Sequence, residues 1–316
     1  MSEPSGGAAK RARKATQTSA FGVGRRENHD ASEFYARFAP PELSADEAVH
    51  ACPVGDSLFV GDSRDMAQVP DGSVALVVTS PPYFAGKEYE AALGTGAIPA
   101  DYVEFLAMLR DVFDECRRVL EPGGRICVNV ANLGRKPYRS LSADVIRILQ
   151  DDLGMLLRGE IIWVKGKGAS GNVAWGSFMK ASSPGLRDLT ERIVVAGKGR
   201  LGRARTWQQR QAEGLPWEST IAKEDFMAWT LDTWEFPAAS AKRVGHPAPF
   251  PVELPRRCIE LYTYRGDVVL DPFMGAGTTA EAAVRTGRRY IGFDTDPAYV
   301  ELARDRVART RDELRE

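Results

Sequence analysis

The segment VVTSPPY, residues 77–83, places a hydroxyl, two prolines and an aromatic ring directly after a run rich in β-branched residues. Pro81 and Pro82 fix φ and remove two backbone donors, so no regular strand or helix continues through them. The segment offers the hydroxyl of Ser80, the ring of Tyr83 and carbonyl groups on residues that have no N–H. These groups are suited to gripping a flat polar ring, although a lone motif of this kind can also be a turn with a surface aromatic.

A second motif, DVVLDPFMGAGTT, reads as a strand, a glycine turn and the start of a helix. Gly275 and Gly277 permit a tight turn and close backbone approach, and the following helix N-terminus presents free N–H groups. About twenty residues later, Asp294 ends the next predicted strand, where a carboxylate can accept hydrogen bonds from both ribose hydroxyls. The spacing predicts a nucleotide-type cofactor site, while a helix cap ahead of Pro297 is the competing interpretation of Asp294.

The glycine pattern differs from that of nicotinamide-binding proteins. It has the form FxGxG from Phe273 to Gly277, and no third glycine stands at the dinucleotide spacing. The chain has three histidines, at positions 29, 50 and 246, and none follows a predicted strand with a carboxylate partner. These features disfavour a nicotinamide-dependent oxidoreductase.

Both motifs require an α/β scaffold to bring them together. The apolar runs before Gly61 and Ser80 are typical of buried parallel strands. Asp101 caps a predicted helix that runs to about Leu120, with apolar residues at the 3.6-residue period. Further elements are predicted as a turn at EPGG, a strand at RICVNV, a helix near 141–152, strands near 159–164 and 191–196, a helix near 252–262, a strand at DVVLDPF, a helix near 277–287, a strand at RYIGFD and a helix from about 297.

The composition excludes several classes of protein. The chain has 316 residues, 43% hydrophobic and 27% charged, with a net charge of -1, so global disorder is not expected. The four cysteines lack CxxC spacing, so neither a zinc site nor a disulfide framework is indicated. No stretch approaches a membrane span and no signal peptide is evident, so we expect a cytoplasmic protein.

Charge and aromatic residues are unevenly distributed along the chain. Between Gly134 and Arg210 there are 15 Lys and Arg against 6 Asp and Glu, which fits either a solvated face or a polyanion partner. Residues 197–245 are weakly periodic, and an insert of that length is usually functional or partly disordered. Trp163, Trp175, Trp229 and Trp234 are expected to anchor the core or an interface rather than contact a base.

Taken together, TSPPY and DPFMGAGT resemble the amino-methyltransferases of DNA, which use S-adenosylmethionine. The resemblance extends over most of residues 56–310, and the order of the motifs, with the catalytic one first, resembles the β group of these enzymes. The Ser form of the tetrapeptide resembles the N4-cytosine members, whereas DPPY is the usual N6-adenine form. The resemblance implies a Rossmann-like α/β fold with a mostly parallel central sheet and an inserted target-recognition region.

The resemblance also assigns domains and site residues. It implies a catalytic half at 56–164, a target-recognition region at about 165–240 and a cofactor-binding half at 241–316. The Ser-, Gly-, Ala- and Lys-rich composition of residues 1–20 predicts a disordered basic tail, which an N-terminal extension at 21–55 would follow. The expected catalytic residues are Ser80, Pro81, Pro82 and Tyr83. The segments VGDS (60–63) and HPAPFP (246–251) of this chain resemble cofactor-binding segments of the family. The expected cofactor-binding residues are Asp62, His246, Phe250, Pro251, Asp271, Phe273, Gly275, Gly277, Thr278 and Asp294; no metal site is expected.

The proposed chemistry explains why these residue types are needed. An exocyclic amine is a poor nucleophile because its lone pair is conjugated with the ring. Acceptors at Ser80 Oγ and the Pro81 carbonyl would draw its nitrogen toward tetrahedral geometry for in-line methyl transfer, and positioning supplies much of the rate. Tyr83 would stack on the base, which must be flipped out of the duplex. The mechanism needs no covalent adduct, in keeping with the absence of a Pro-Cys dipeptide.

The expected partner is double-stranded DNA, with the basic residues from Arg135 to Arg210 as phosphate contacts. A restriction endonuclease is a functional companion to consider, as is a homodimer, and no membrane partner is expected. Two alternatives stay open at this point: methylation of adenine N6 by the same fold, and a non-catalytic DNA-binding module with a methyltransferase-like fold. The recognition sequence cannot be read from the insert.

Overall fold

A computed structural model of the protein describes residues 41–84, 101–132, 137–166, 176–186, 188–238 and 250–316. The described strands form one eight-stranded sheet in the order β1-β8-β7-β2-β3-β5-β4-β6. Among these strands, only β5 runs against the others. The strands are β1 (Ser57–Val60), β2 (Val74–Thr79), β3 (Leu120–Val130), β4 (Leu156–Val164), β5 (Thr190–Gly197), β6 (Thr233–Glu235), β7 (Val268–Asp271) and β8 (Arg289–Asp294).

Helices cover both faces of the sheet. The first of them begins after Asp101, whose carboxylate accepts hydrogen bonds from the backbone of Val103 and Glu104, as the sequence predicts. The second ends in a π turn at Ile148–Asp152. The helices are α1 (Tyr102–Val119), α2 (Leu141–Arg147), α3 (Trp207–Ala212), α4 (Lys223–Trp229), α5 (Glu253–Tyr262), α6 (Thr278–Arg285) and α7 (Pro297–Glu313).

The central strand β2 shows why the fold has three layers. All six of its residues, VALVVT, are buried, which is the pattern of a parallel strand covered on both sides. Val77 packs in a core with α1 and α2, whereas its neighbours Leu76 and Val78 pack in a second core with α5, α6 and α7. The alternation follows from the two-residue period of a strand. The predicted α/β fold with a mostly parallel sheet is confirmed.

The connections place a topological switch point between β2 and β7. The chain passes from β2 to β3 on one side of the sheet and from β7 to β8 on the other. β2 and β7 are neighbours, with Leu76 opposite Val269 and Val77 opposite Leu270. In open α/β sheets, ligands bind outside the carboxyl ends of the strands at such a point. Each of the two sequence motifs contains the carboxyl end of one of these strands and continues beyond it.

The EPGG turn lies inside β3 rather than ahead of it. Leu120 pairs with Val74 and Arg125 pairs with Leu76, so the pairing shifts register across the intervening residues. Gly123 has φ +81°, and a Cβ there would lie 2.0 Å from the Gly202 carbonyl oxygen. The close approach of the insert to this strand therefore requires glycine.

The insert has more regular structure than its weak periodicity predicts. It contains α3, α4 and β6, and α3 begins with a capping box in which Thr206 and Gln209 exchange hydrogen bonds. Trp163, Trp229 and Trp234 are buried, which confirms their predicted role as anchors. Trp175 and the predicted tail at 1–20 lie outside the described residues. No helix of the described residues is long and apolar enough to span a membrane.

A buried ion-pair cluster joins the insert to the starts of β3 and β7. Arg210 donates to Glu121 Oε1 at 3.2 Å and to Asp267 Oδ1 at 2.9 Å. Arg203 donates to the same two carboxylates, and all four side chains are no more than 11% exposed. We call Glu121, Arg203, Arg210 and Asp267 the anchor quartet. It lies where β3 and β7 begin. The motifs leave the sheet at the opposite end, after the carboxyl ends of β2 and β7.

The anchor quartet corrects the prediction that the basic residues up to Arg210 contact phosphates. Arg203 and Arg210 are buried and paired, so they hold the insert instead. The ammonium of Lys198 likewise donates to the carbonyls of Arg118 and Leu120. Charge counted along a sequence cannot separate such structural arginines from solvated ones, because burial depends on where the insert packs.

Candidate active site

The ends of three adjacent parallel strands bring the two motifs together. β2 ends at Thr79, β7 at Asp271 and β8 at Asp294, and all three strands point the same way. The tetrapeptide after Thr79 and the glycine turn after Asp271 therefore leave the sheet side by side. Residues nearly two hundred positions apart in the sequence thus lie next to each other.

Asp271 links the two motifs through its carboxylate. Thr79 donates to Oδ1 and Thr279 donates to Oδ2, each at 2.7 Å, and the backbone N–H of Phe273 donates to Oδ1 at 3.1 Å. Burial raises the pKa of Asp271 to about 6, against these three hydrogen bonds, which lower it. Asp271 thus holds the end of β2 against the first turn of α6.

The raised pKa of Asp271 predicts a pH dependence of stability. Between its ordinary pKa of 3.8 and about 6, the unfolded chain loses this proton while the folded protein keeps it. Its contribution to the free energy of unfolding is therefore fully present below pH 3.8 and is lost as the pH rises through 6, by on the order of 2–3 kcal/mol. The neutral variant Asp271→Asn removes this dependence.

Urea unfolding of both proteins between pH 4 and pH 7 measures the difference. We expect the wild-type protein to lose stability relative to Asp271→Asn as the pH rises. A constant difference between the two proteins across this range would contradict the raised pKa.

The glycine turn has the left-handed backbone that the sequence predicts. Gly275 has φ +47° and Gly277 has φ +76°, and Gly277 is the N-cap of α6 with no side-chain cap. A Cβ on Gly277 would lie 2.7 Å from the Cβ of Ala303 on α7. Helix packing alone therefore requires glycine at 277, so a substitution there would not report cofactor binding alone.

Thr278 is more restricted than the sequence suggests. It is buried, and its hydroxyl accepts a hydrogen bond from Arg306 of α7 at 2.8 Å. The hydroxyl thus accepts within the protein and keeps its own proton to donate, and the cofactor contact predicted for Thr278 stays a prediction. Phe273, also predicted to bind the cofactor, is partly buried and packs against the α1 side of the core.

Asp294 is not the cap of the last helix. That role belongs to Asp296, whose carboxylate accepts from the N–H of Ala298. Asp294 instead accepts from the N–H of Gly275 at 3.0 Å and from the N–H of Asp296 at 2.9 Å, one on each oxygen. Burial raises its pKa. Each carboxylate oxygen keeps acceptor capacity beside the glycine turn, which suits a diol such as a ribose.

Replacing Asp294 by alanine should weaken cofactor binding. Loss of hydrogen bonds from ribose hydroxyls to a charged group corresponds to about 1.5–3 kcal/mol, or roughly ten- to a hundredfold in Kd. Titration calorimetry with S-adenosylmethionine measures the change. Asp296→Ala, which removes the helix cap but not the diol acceptor, is the matched control. Equal affinity of the Asp294→Ala and wild-type proteins would remove Asp294 from the site.

The structure describes three of the four other residues predicted to bind the cofactor. Asp62 follows β1, and its carboxylate accepts from Arg64 on both oxygens; this side-chain hydrogen bond lowers its pKa. Its predicted contact with adenine would therefore be shared with Arg64. Phe250 packs against the α5 side of the core, and Pro251 lies two residues before the start of α5. His246 lies outside the described residues.

The tetrapeptide is held by side chains of the neighbouring strands. Ser80 Oγ lies 2.8 Å from the Tyr83 hydroxyl and donates to the Asn129 carbonyl at 3.1 Å. Tyr83 also donates to Glu191 Oε2 at 3.1 Å. Pro81 is buried, and no described residue donates to its carbonyl. The two predicted acceptors, Ser80 Oγ and the Pro81 carbonyl, are thus adjacent, and Pro82 follows them half-buried.

Tyr83 is more enclosed than an open stacking platform. Its side chain is 8% exposed, and its hydroxyl belongs to the hydrogen-bond network of Ser80. The stacking predicted for Tyr83 stays a prediction that requires the ring to become more exposed. Phe84, the next residue, has φ +53° and packs edge-on against Tyr102 at 5.5 Å. A bulky residue with positive φ is strained, so the packing of its ring helps to fix the chain after the tetrapeptide.

Three polar residues near Ser80 belong to neither sequence motif. Asn129 is the penultimate residue of β3, Glu191 lies at the start of β5, and Lys165 lies just after β4. Asn129 donates to Glu191 Oε2 at 2.6 Å, and Lys165 donates to Glu191 Oε1 at 2.9 Å. A buried amide in a run such as ICVNV is the available signal for Asn129. Glu191 has none, because only the antiparallel pairing of β5 with β3 brings it to Ser80.

Comparison with known proteins finds similarity to DNA methylases and type II methyltransferases. The family model N6_N4_Mtase, described as DNA methylase, matches residues 74–305. The type II methyltransferase M.XycI of Xanthomonas campestris pv. cyanopsidis is 30% identical over 288 residues, which is 80% of this chain and 88% of the relative. The type II methyltransferase M.MjaI of Methanocaldococcus jannaschii is 28% identical over 283 residues, 79% of this chain and 90% of the relative.

Solved structures with the same fold include TTHA0409 of Thermus thermophilus, a candidate DNA modification methylase in complex with S-adenosyl-L-methionine. It has a TM-score of 0.61 and 34% identity, covering 80% of this chain and 93% of that one. The PvuII DNA methyltransferase, cytosine-N4-specific, has a TM-score of 0.60 with 20% identity, covering 84% and 94%. The second similarity concerns the fold alone.

Proposed function

The chain belongs to the DNA methylase family N6_N4_Mtase and is a DNA methyltransferase that uses S-adenosylmethionine, and we propose that its target atom is the exocyclic N4 of a flipped-out cytosine in duplex DNA. The observation that carries this proposal is Ser80, at the end of β2 and beside the glycine turn of β7. Its hydroxyl can accept from an amine where the adenine-specific pattern has a carboxylate.

The residues around the glycine turn fit the cofactor. Left-handed backbone at Gly275 and Gly277 allows close approach, and Asp294 offers a carboxylate for the ribose hydroxyls. The cofactor supplies an electrophilic methyl group on a sulfonium. The chain's own residues bind it at the end of β7 and orient the amine at the end of β2, because these strands are neighbours.

The acceptors of the tetrapeptide act on the target nitrogen. Ser80 Oγ and the Pro81 carbonyl would accept the two N–H bonds of the amine, which turns its lone pair out of the ring plane. The proline pair keeps the Pro81 carbonyl from rotating away. Preorganised positioning of this kind supplies much of the rate of a displacement reaction. Ser80 is a weak base, so the surplus proton leaves to water after transfer.

Identification of the methylated nucleoside tests the proposal. Duplex DNA is incubated with the protein and S-adenosylmethionine, digested to nucleosides and analysed by mass spectrometry. N4-methylcytosine supports the proposal, and N6-methyladenine moves the target to adenine on the same site. 5-Methylcytosine would overturn the mechanism, because that product needs a covalent thiolate adduct. Absence of any product despite cofactor binding would favour a non-catalytic DNA-binding module.

The target-recognition region is proposed to lie within residues 165–240. Exposed apolar side chains in this range include Trp207 and Trp217, whose ring centroids are 6.3 Å apart, and Phe178 and Met179. Exposed aromatic and apolar groups in such a region suit contact with a large partner such as DNA. β5 also falls in this range but is an internal strand of the sheet, so recognition would rest on the segments around it.

A further inference from the structure

A polar network connects Ser80, which follows β2, through residues of β3 and β5 to a partly buried ion pair with Lys165, which follows β4. It runs from Lys165 to Glu191, then to Tyr83 and Asn129, and then to Ser80. Asn129 is 1% exposed, and the side chain of Glu191 is 12% exposed. We call these five residues the serine network. The motif chemistry uses Ser80 and Tyr83 but assigns no task to the other three.

The ion pair fixes the direction of the hydrogen bonds in the serine network. Lys165 donates to Glu191 Oε1, and a lysine ammonium can only donate. Glu191 Oε2 receives the Tyr83 hydroxyl at 3.1 Å and the Asn129 amide at 2.6 Å. A carboxylate paired with a cation can only accept, so the proton of Tyr83 points to Glu191. The Tyr83 oxygen is then an acceptor toward the tetrapeptide.

Asn129 supports the same direction. Its Nδ2 donates to Glu191 and also to Tyr83 Oη at 3.1 Å, while its Oδ1 is buried with no donor among the described residues. An unsatisfied buried acceptor costs about 1–3 kcal/mol. The opposite amide orientation would place oxygen against the Glu191 carboxylate. The charge of Glu191 therefore determines how the amide lies.

The direction has a consequence for Ser80. Its single proton has two acceptors within the protein, the Asn129 carbonyl at 3.1 Å and the Tyr83 oxygen at 2.8 Å. With that proton engaged, the remaining lone-pair capacity of Oγ is available only to a donor. An exocyclic amine provides such a donor, whereas a keto oxygen at the same position would face Oγ as a second acceptor.

We propose that Lys165 and Glu191 are positioning residues that keep Ser80 a hydrogen-bond acceptor, so that the site admits an amino base and rejects its keto counterpart before any methyl transfer. This inference rests on the proposed function, because it requires a flipped base at Ser80. It applies equally to cytosine against uracil and to adenine against hypoxanthine. A site built for one hydrogen-bond partner discriminates strongly against an analogue that leaves buried groups unpaired.

Glu191→Gln is the direct test, because an amide of the same shape can donate to Tyr83 and reverse the network. The probes are duplexes with the amino base or its keto counterpart at the methylated position, bound in the presence of S-adenosylhomocysteine. For each protein, the ratio of the Kd for the keto duplex to the Kd for the amino duplex measures the discrimination. We expect this ratio to be at least tenfold larger for the wild-type protein than for Glu191→Gln. Comparing proteins on the same duplexes cancels the difference in base-pair stability between the probes.

Kinetics give a second reading of the same variant. We expect kcat of Glu191→Gln to fall at least tenfold, while cofactor affinity and the melting temperature stay unchanged. Glu160→Gln, a change of the same type on β4, is the matched control and should keep wild-type discrimination. Unchanged discrimination and kcat in Glu191→Gln would overturn the inference. If the wild-type protein methylates no amino base, the proposed function fails instead.

A second variant covers the case in which Glu191→Gln is unstable. Tyr83→Phe keeps the ring and removes the hydroxyl that joins Glu191 to Ser80. We expect it to lose discrimination between amino and keto bases in the same sense. If Tyr83→Phe retains wild-type discrimination, the serine network does not control Ser80, and the inference is wrong.

Discussion

Ser80→Ala is expected to lower kcat for methyl transfer by about 10²–10³, because it removes a preorganised acceptor aimed at the amine, as loss of one oxyanion-hole donor does in other enzymes. The Kd for S-adenosylmethionine should stay within about twofold, since the cofactor turn follows β7 while the Ser80 hydroxyl bonds to Tyr83 and Asn129. Single-turnover transfer from labelled cofactor to duplex DNA measures the rate, and calorimetry measures the affinity.

Ser73→Ala is the matched control for this substitution. Ser73 directly precedes the same strand at its other end, where its hydroxyl donates to the Pro70 carbonyl. It should retain the wild-type rate. A Ser80→Ala variant with wild-type kcat would show that the Pro81 carbonyl suffices, and would remove Ser80 from the chemistry. Loss of cofactor binding together with activity would instead assign Ser80 a structural role.

Arg210→Met should have the largest effect on stability, a loss of about 3–5 kcal/mol in the free energy of unfolding. The change leaves Glu121 and Asp267 buried with only Arg203 to balance two carboxylates. Methionine keeps much of the apolar stem, so the loss reports the charge rather than a cavity. Denaturant unfolding at pH 7 measures it.

Arg205→Met provides the comparison, because Arg205 pairs with Glu47 and Glu213 at the surface. Exposed ion pairs contribute little, so this variant should unfold close to the wild-type midpoint. A similar midpoint for Arg210→Met would mean that the anchor quartet does not hold the insert. Far-ultraviolet circular dichroism of the folded variants checks that both proteins keep the sheet.

The regular part of the fold could be predicted because burial imposes a pattern on the sequence. The strand VALVVT, the helix after Asp101 and the glycine turn after Asp271 lie where the sequence places them. Each carries a local signal, respectively an apolar run, a cap and a pair of glycines. The family and its cofactor could also be predicted, because the motifs that define them are short and continuous in the sequence.

The insert could not be predicted, because its order depends on distant partners. Nothing local distinguishes Arg210, which is 1% exposed, from an arginine at the surface. The position of the EPGG turn within β3 could not be predicted for a related reason, because Gly123 accommodates Gly202 of the insert and pairing with β2 resumes at Arg125. Glu191 is the corresponding case within the site, where only strand pairing reveals its neighbours.

The anchor quartet has a consequence for how such enzymes diverge. Its four members come from three stretches of sequence, with Glu121 in β3, the two arginines in the insert and Asp267 just before β7. Recombination that replaces the insert with one lacking these arginines would leave two buried carboxylates without counterions. The quartet therefore acts as an epistatic filter, because a new specificity region can be inherited only from a donor that carries compatible charges or together with changes at Glu121 and Asp267.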